Sequence, residues 1–207
     1  MVAIVDYGVG NLFSLKSSFA AIGAEAVVTA DPAVLAAADH IVLPGVGAFG
    51  DAAAKLRATG LDRVVVQLAM AGKPLLGICL GMQLLFDKSL EYGEHRGLGL
   101  IAGCVRPIAE VIPAGYKIPH IGWNALTMVG TPSPLFRYVQ EGQHVYFVHS
   151  YYAADCGEAV IATAHYGAPL TAAVAKGTVF GCQFHPEKSG DVGLAILRAF
   201  CETEGAS

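Results

Sequence analysis

Charge is scarce in this 207-residue chain: Asp, Glu, Lys and Arg together make up 14% of it. Thirteen Lys+Arg against seventeen Asp+Glu leave a formal charge of -4 with no basic run, which argues against a nucleic-acid footprint or an anionic-membrane patch. Also missing is the run of about 20 apolar residues that a membrane-spanning helix needs. The longest uncharged stretch, 118–136, carries Pro119, His120, Asn124, Pro132 and Pro134, and the most apolar one, Pro74 to Phe86, is too short. The opening Met-Val-Ala-Ile-Val-Asp lacks a basic start and places a carboxylate at Asp6, so it does not read as a secretory signal and a cytoplasmic protein is expected. The five cysteines, at 79, 104, 156, 182 and 201, never form Cys-x-x-Cys. Neither a disulfide framework nor a zinc knuckle is signalled, and no metal or cofactor is expected.

What the chain does have is apolar residue, 54% of it, enough for one sizeable core and too much for disorder. A single domain spanning 1–207 is the expected organisation. Strand-length apolar runs alternate with helical periodicity. Val2 to Val5 leads to Asn11 as N-cap of a helix bearing Leu12, Leu15, Phe19 and Ile22. Val27 to Thr29, a helix opened by Asp31-Pro32, and His40 to Leu43 follow. Leu61 to Met70 reads as a helix, Pro74 to Ile78 as a buried parallel strand and Gly81 to Asp87 as the start of another helix. Beyond residue 98 the pattern turns to strands: Leu98 to Cys104, Ile121 to Thr127, His144 to Val148, Ala159 to Ala164, Leu170 to Ala175 and Thr178 to Phe184. A closing helix carries Val192, Ile196, Leu197 and Phe200. The fold class predicted is α/β: a doubly wound, mostly parallel central sheet with antiparallel additions.

Gly77-Ile78-Cys79-Leu80-Gly81 lies where a buried strand passes into a helix, the Gly-x-nucleophile-x-Gly elbow with cysteine in place of serine. Such a turn forces unusual dihedrals on Cys79 and leaves no room for side chains at 77 and 81. A helix N-terminus behind the sulfur favours the thiolate, and the Leu80 N–H is aimed at an oxyanion. Seven histidines are available as base. His185 follows a strand, is fixed by Pro186, and has Glu187 two residues on to orient it. His149 is the rival base, without a neighbouring acid. Gly45-Val46-Gly47-Ala48-Phe49-Gly50 satisfies Gly-x-Gly-x-x-Gly, but no acidic residue ends the next strand to hold a ribose. Pro44 to Gly47 reads instead as backbone able to supply a second oxyanion donor.

The segments Pro44 to Gly50, Gly77 to Gln83 and Phe184 to Ser189, in that order, resemble the class I glutamine amidotransferases. More narrowly, Asp6 to Leu12, Pro119 to Asn124 and Tyr146 to Tyr152 resemble the glutaminase subunits of imidazole glycerol phosphate synthases, so the similarity spans essentially the whole chain. The resemblance implies that Cys79 attacks the side-chain amide of L-glutamine with His185 as base and then acid and Glu187 as orienter. It further implies an oxyanion hole from Val46, Gly47 and Leu80, and substrate binding by Gly47, Gln83, Glu91, His149, Ser150 and Tyr151. The implied partner is a (β/α)8-barrel cyclase forming a heterodimer, receiving ammonia through its interior and activating the glutaminase when its phosphorylated substrate binds. Pro44 to Gly47 is the expected two-state element. Trp123, as a cyclase contact or as core, with Lys188 and Asn11, is assigned to the partner face. Glutaminases serving pyridoxal phosphate, anthranilate or guanylate synthesis, and a partner-independent cysteine hydrolase, remain alternatives.

Overall fold

The computed structural model describes residues 1 to 205. Its first half alternates β1 (Val2–Val5), α1 (Leu12–Ala21), β2 (Ala26–Thr29), α2 (Pro32–Ala37), β3 (His40–Leu43), α3 (Phe49–Ala58), α4 (Leu61–Met70), β4 (Leu75–Ile78) and α5 (Leu80–Leu84). The second half runs β5 (Lys88–Ser89), β6 (His95–Arg96), β7 (Cys104–Pro107), β8 (His120–Ala125), β9 (Thr127–Met128), β10 (His144–His149) and β11 (Tyr151–Ala154), then β12 (Val160–His165), β13 (Pro169–Lys176), β14 (Val179–Cys182) and α6 (Gly190–Cys201).

An eight-stranded sheet in the order β2-β1-β3-β4-β14-β13-β12-β9 forms the centre. Its first five strands pair in parallel, and β13, β12 and β9 add antiparallel strands, the mixed α/β sheet that the alternation predicts. Along β1, β3 and β4 every residue is buried because both faces are covered, which is why they read as unbroken apolar runs. Ala3, Val5, Ile41, Leu43 and Leu75 pack with α2, α3 and α4 on one side, while Val2, Ile4, Val42, Leu76 and Ile78 pack with α1 and α6 on the other. The expected caps are in place: the Asn11 side chain accepts from Ser14 N, and Asp31 accepts from Ala33 N with Pro32 in the first turn.

Two smaller sheets flank the mouth of the fold, a β8–β10 ribbon and a four-stranded sheet β11-β7-β5-β6. Here the structure departs from expectation. Leu98 to Cys104 is not a strand; the strand is Cys104–Pro107. Leu98, Leu100 and Ile101 instead donate to the carbonyls of Leu84 and Leu85, closing the end of α5, and positive φ at Gly99 and Gly103 bends the chain around them. Ile121 to Thr127 is two strands, divided at the buried Leu126. Tyr151–Ala154, not among the strands read from the sequence, is a strand paired with β7. No helix among the described residues is long and apolar enough to cross a membrane.

Candidate active site

Cys79 sits between β4 and α5 with φ +53° and ψ -111°, a conformation that costs a non-glycine residue on the order of 1–3 kcal/mol. Flanking contacts hold it there. Its N–H donates to Cys182 O at 2.7 Å, and its carbonyl accepts from Gln83 N at 3.1 Å. A Cβ at Gly77 would lie 2.7 Å from Gly81 O, and one at Gly81 would lie 1.8 Å from Leu43 O. Both glycines are therefore required by close backbone approach, as the elbow pattern predicts. The helix behind the sulfur is shorter than Gly81 to Asp87 suggests: α5 has five residues, because Leu85 and Phe86 turn in tight i→i+3 bonds. Its dipole is correspondingly weak. The Leu80 N–H, in its first turn, still lacks an intrahelical partner.

His185 leaves β14 through Gln183 and Phe184, with its N–H on Tyr146 O at 3.0 Å. Its carbonyl accepts from the Ser189 hydroxyl, which in turn accepts from Tyr146 N. The ring is fixed by Glu187, whose Oε1 lies 2.8 Å from Nδ1, leaving Nε2 as the nitrogen for Cys79. Both side chains are almost wholly buried, and among the described residues Glu187 Oε2 has no partner, which leaves His185 to compensate the carboxylate. Burial alone would depress the imidazole pKa, but hydrogen bonds to Cys79 and Glu187 and their charges outweigh it and raise the pKa to about 9.

A cavity of about 620 Å³ opens over this pair. Val46, Gly47, Cys79, Leu80, Gln83, Glu91, His149, Ser150, Tyr151, His185 and Lys188, picked out in separate parts of the sequence, all line it. Glu187 stands behind His185. Tyr92, Ile118, Pro119 and Val148 complete the wall; none was given a site role from the sequence, although Pro119 and Val148 lie in the segments that carry the resemblance. The Pro44–Gly47 loop is anchored at one end and open at the other. Tyr7 Oη donates to Pro44 O at 2.7 Å, burial pushing this phenol's pKa upward, and a Cβ at Gly45 would strike Gly81 N at 2.8 Å. Gly47, at φ +95°, has nothing within 4 Å of its Cβ direction. Glu91 is 9% exposed rather than a solvated acid, and its carboxylate accepts from Phe49 N, at the N-terminus of the ten-residue α3.

His149 is not placed to serve as the base. Its Nδ1 meets Tyr151 O at 2.8 Å and its Nε2 meets His120 Nδ1 at 3.0 Å, so both nitrogens are engaged. Burial pushes its pKa down to about 4. Tyr151 O also accepts from Gln83 Nε2 at 3.2 Å, linking two cavity walls through one carbonyl. Sequence reasoning gave no role to His120 and Gln183; both are buried, and a histidine and a glutamine each flanked by apolar neighbours are the signals that could have found them. Trp123 is 56% exposed, which removes the core alternative; it contacts Tyr146 with ring centroids 6.1 Å apart, and Lys188 Nζ stands 5.9 Å over the same tyrosine ring. Asn11 and Trp123 lie outside the cavity lining, Asn11 acting as helix cap beside Phe13, which is 82% exposed. Of the other cysteines, Cys104, Cys156 and Cys182 are buried and Cys201 is half-buried. Burial raises Cys156 to about 12 and Cys201 to about 11, which keeps both as inert thiols.

Residues 3–203 match the family model described as glutamine amidotransferase class-I. The chain is 48% identical over 204 residues to the imidazole glycerol phosphate synthase subunit HisH of Wolinella succinogenes, covering 98% of this chain and 99% of that one. It is 50% identical over 202 residues to the HisH subunit of Methanothermobacter thermautotrophicus, covering 98% of each. Among solved structures, PurLQS from Thermotoga maritima superposes with a TM-score of 0.75 at 20% identity over 97% of this chain and 96% of that one, a likeness of fold. A nucleophile elbow facing a His–Glu pair, carried on this sheet and matched along nearly its whole length, makes the chain a member of the class I glutamine amidotransferase family.

Proposed function

We propose that this protein is the glutaminase subunit of an imidazole glycerol phosphate synthase, hydrolysing L-glutamine and passing the ammonia to a cyclase that makes imidazole glycerol phosphate in histidine biosynthesis. The observation that carries the reading is Cys79, strained at a strand-to-helix elbow, in one cavity with His185 and its buried Glu187 partner. Near-full-length kinship with relatives named as HisH subunits supports the pathway.

In the proposed sequence, Nε2 of His185 receives the thiol proton and Sγ of Cys79 bonds to the side-chain amide carbon of glutamine. The oxyanion is met by the Leu80 N–H and by an amide of the Val46–Gly47 segment. Collapse breaks the C–N bond, and the proton held on His185 goes to the departing nitrogen, releasing ammonia and leaving a γ-glutamyl thioester on Cys79. Water then gives a proton to His185 as its oxygen attacks the thioester; the C–S bond breaks, glutamate leaves, and the proton returns to sulfur. The raised pKa of His185 suits this double duty, since a proton placed there stays until the leaving group collects it. Gln83, Glu91, His149, Ser150, Tyr151 and Gly47 are the proposed contacts to the rest of glutamine, with the Glu91 carboxylate suited to its ammonium.

The proposed partner is a (β/α)8-barrel cyclase seated over the cavity mouth. Supporting this, Phe13, Val46, Tyr92, Ile118, Ile121 and Trp123 are large apolar side chains left exposed on elements that surround or adjoin the mouth. A covered mouth would also keep ammonia from water. Acid quenching of the protein during turnover of radiolabelled glutamine tests the chemistry. Label held on Cys79 and released by hydroxylamine is expected, and none on the Cys79→Ala protein; label that survives in Cys79→Ala would refute a thioester at this residue.

A further inference from the structure

Gln183 has 0% exposure, two residues before His185 at the end of β14. A buried amide must satisfy a carbonyl oxygen and two N–H groups. Its backbone N–H goes to Ala172 O at 2.8 Å. The side chain lies between two residues of the site: Gln83 Nε2 is 3.0 Å from Gln183 Oε1, and Gln183 Nε2 is 3.7 Å from Cys79 Sγ.

Chemistry fixes the orientation of both amides. Tyr151 O, 3.2 Å from Gln83, can only accept, so the amino end of Gln83 must face it. The second N–H of that group reaches Gln183, and the atom it meets must therefore be the carbonyl oxygen. The amino group of Gln183 is then left facing sulfur. Turning Gln183 over would set two amino groups against each other and aim an oxygen lone pair at Sγ. Gln83 thus donates to both Tyr151 O and Gln183, and Gln183 donates in turn to Cys79, every link a donor to an acceptor.

We infer that Gln183 is a further residue of the catalytic machinery, donating an N–H hydrogen bond to the Cys79 sulfur that favours its thiolate and holds it facing the cavity. The inference rests on the reading of Cys79 as nucleophile and assigns no new bond-making step. A hydrogen bond to the charged form favours that form, and a sulfur fixed by two partners, His185 and Gln183, spends less time in unproductive rotamers. The donor is oriented by Gln83, a residue of the proposed glutamine pocket, so the pocket wall and the nucleophile share one network.

The test is the pH profile of Cys79 alkylation by iodoacetamide in the full-length protein, with Cys79→Ala as blank, for wild type, Gln183→Met and Gln183→Asn. Methionine preserves volume without a donor. Asparagine keeps an amide in the core, one methylene short of the sulfur, and serves if the methionine variant does not fold. The alkylation midpoint is expected to rise by about one pH unit in each folded variant. In the cyclase-activated complex kcat should fall roughly ten- to hundred-fold while KM for glutamine changes less than about threefold. Folded variants with a wild-type midpoint and kcat, whatever their melting temperature, would make Gln183 a packing residue and overturn the inference. Wild type that shows neither Cys79-dependent alkylation nor glutamate release would overturn the glutaminase reading itself, and the inference with it.

Discussion

His120 Nδ1 lies 3.0 Å from His149 Nε2, directly across the β8–β10 ribbon, and only one arrangement of protons satisfies the pair. His149 Nδ1 must donate to Tyr151 O, so its Nε2 accepts; His120 Nδ1 must therefore donate, and its Nε2 accepts from Asn124 Nδ2 at 3.4 Å. Both rings are neutral. His120 is stacked between Phe147 and Tyr166, with centroids 4.9 and 4.1 Å away. The chain joins the strand that carries Trp123 to the cavity wall at Tyr151.

Acid should loosen this wall. Burial pushes both pKa values down to about 4, well below the ordinary histidine value of 6.5. The unfolded chain therefore binds more protons than the folded one between those values, and stability declines as pH falls from about 6.5 toward 4. The melting temperature of wild type should drop through that window more steeply than that of a His120→Phe, His149→Phe double variant, measured by circular dichroism. Parallel curves would show that the pair is not neutral in the folded state.

Replacing His120 alone by phenylalanine keeps the aromatic stack and removes the donor to His149. An unsatisfied buried nitrogen costs about 1–3 kcal/mol, which chemical denaturation would register. If His149 contacts glutamine as proposed, KM rises more than kcat falls in the cyclase-activated enzyme. An unchanged KM would confine the pair to structure.

The parallel half of the sheet was legible because burial on both faces writes itself as continuous apolar runs, as in Val2 to Val5 and Leu75 to Ile78. The elbow was legible for a similar reason: Gly77 and Gly81 are demanded by backbone contact, so they mark Cys79 locally. Short pairings were not. Leu98 to Ile101 has the apolar character of a strand, yet its amides go to the end of α5, a tertiary choice that no local pattern records. Likewise Gln183, just past β14, and His120, the first residue of β8, are buried polar residues, and only the opposing chain shows what satisfies them. Trp123 could be placed outside the core once its cross-strand partner proved to be Tyr146 on the exposed face of the ribbon.

Glu187→Gln should leave the fold intact and the base misaligned. The carboxylate is a major support for the raised His185 pKa, so that value should fall in the variant, followed by the ring proton resonance in NMR. A loss of activity of about 10²–10⁴-fold is expected. In wild type the stabilisation from this pair is fully present below about pH 6.5 and fades as pH rises through about 9, so high-pH melting should be steeper in wild type than in the variant.

At Gly81 the obstacle is steric. A methyl group 1.8 Å from Leu43 O has to displace β3 or the elbow, because the three atoms nearest to it, Leu43 O, Leu43 C and Pro44 C, are all backbone. Gly81→Ala should lose about 3 kcal/mol or more of stability or fail to accumulate, whereas Gly142→Ala, at a turn with open space, should cost about 1 kcal/mol from its positive φ alone.

The most direct test of a partner-gated thiol glutaminase is glutamate release by the purified protein. It is measured alone, with an imidazole glycerol phosphate synthase cyclase and its phosphorylated ligand, and again with Cys79→Ala. Weak release by the protein alone, strong stimulation by the liganded cyclase and none in the variant is the predicted result. Release that ignores the cyclase, or that survives in Cys79→Ala, would contradict it.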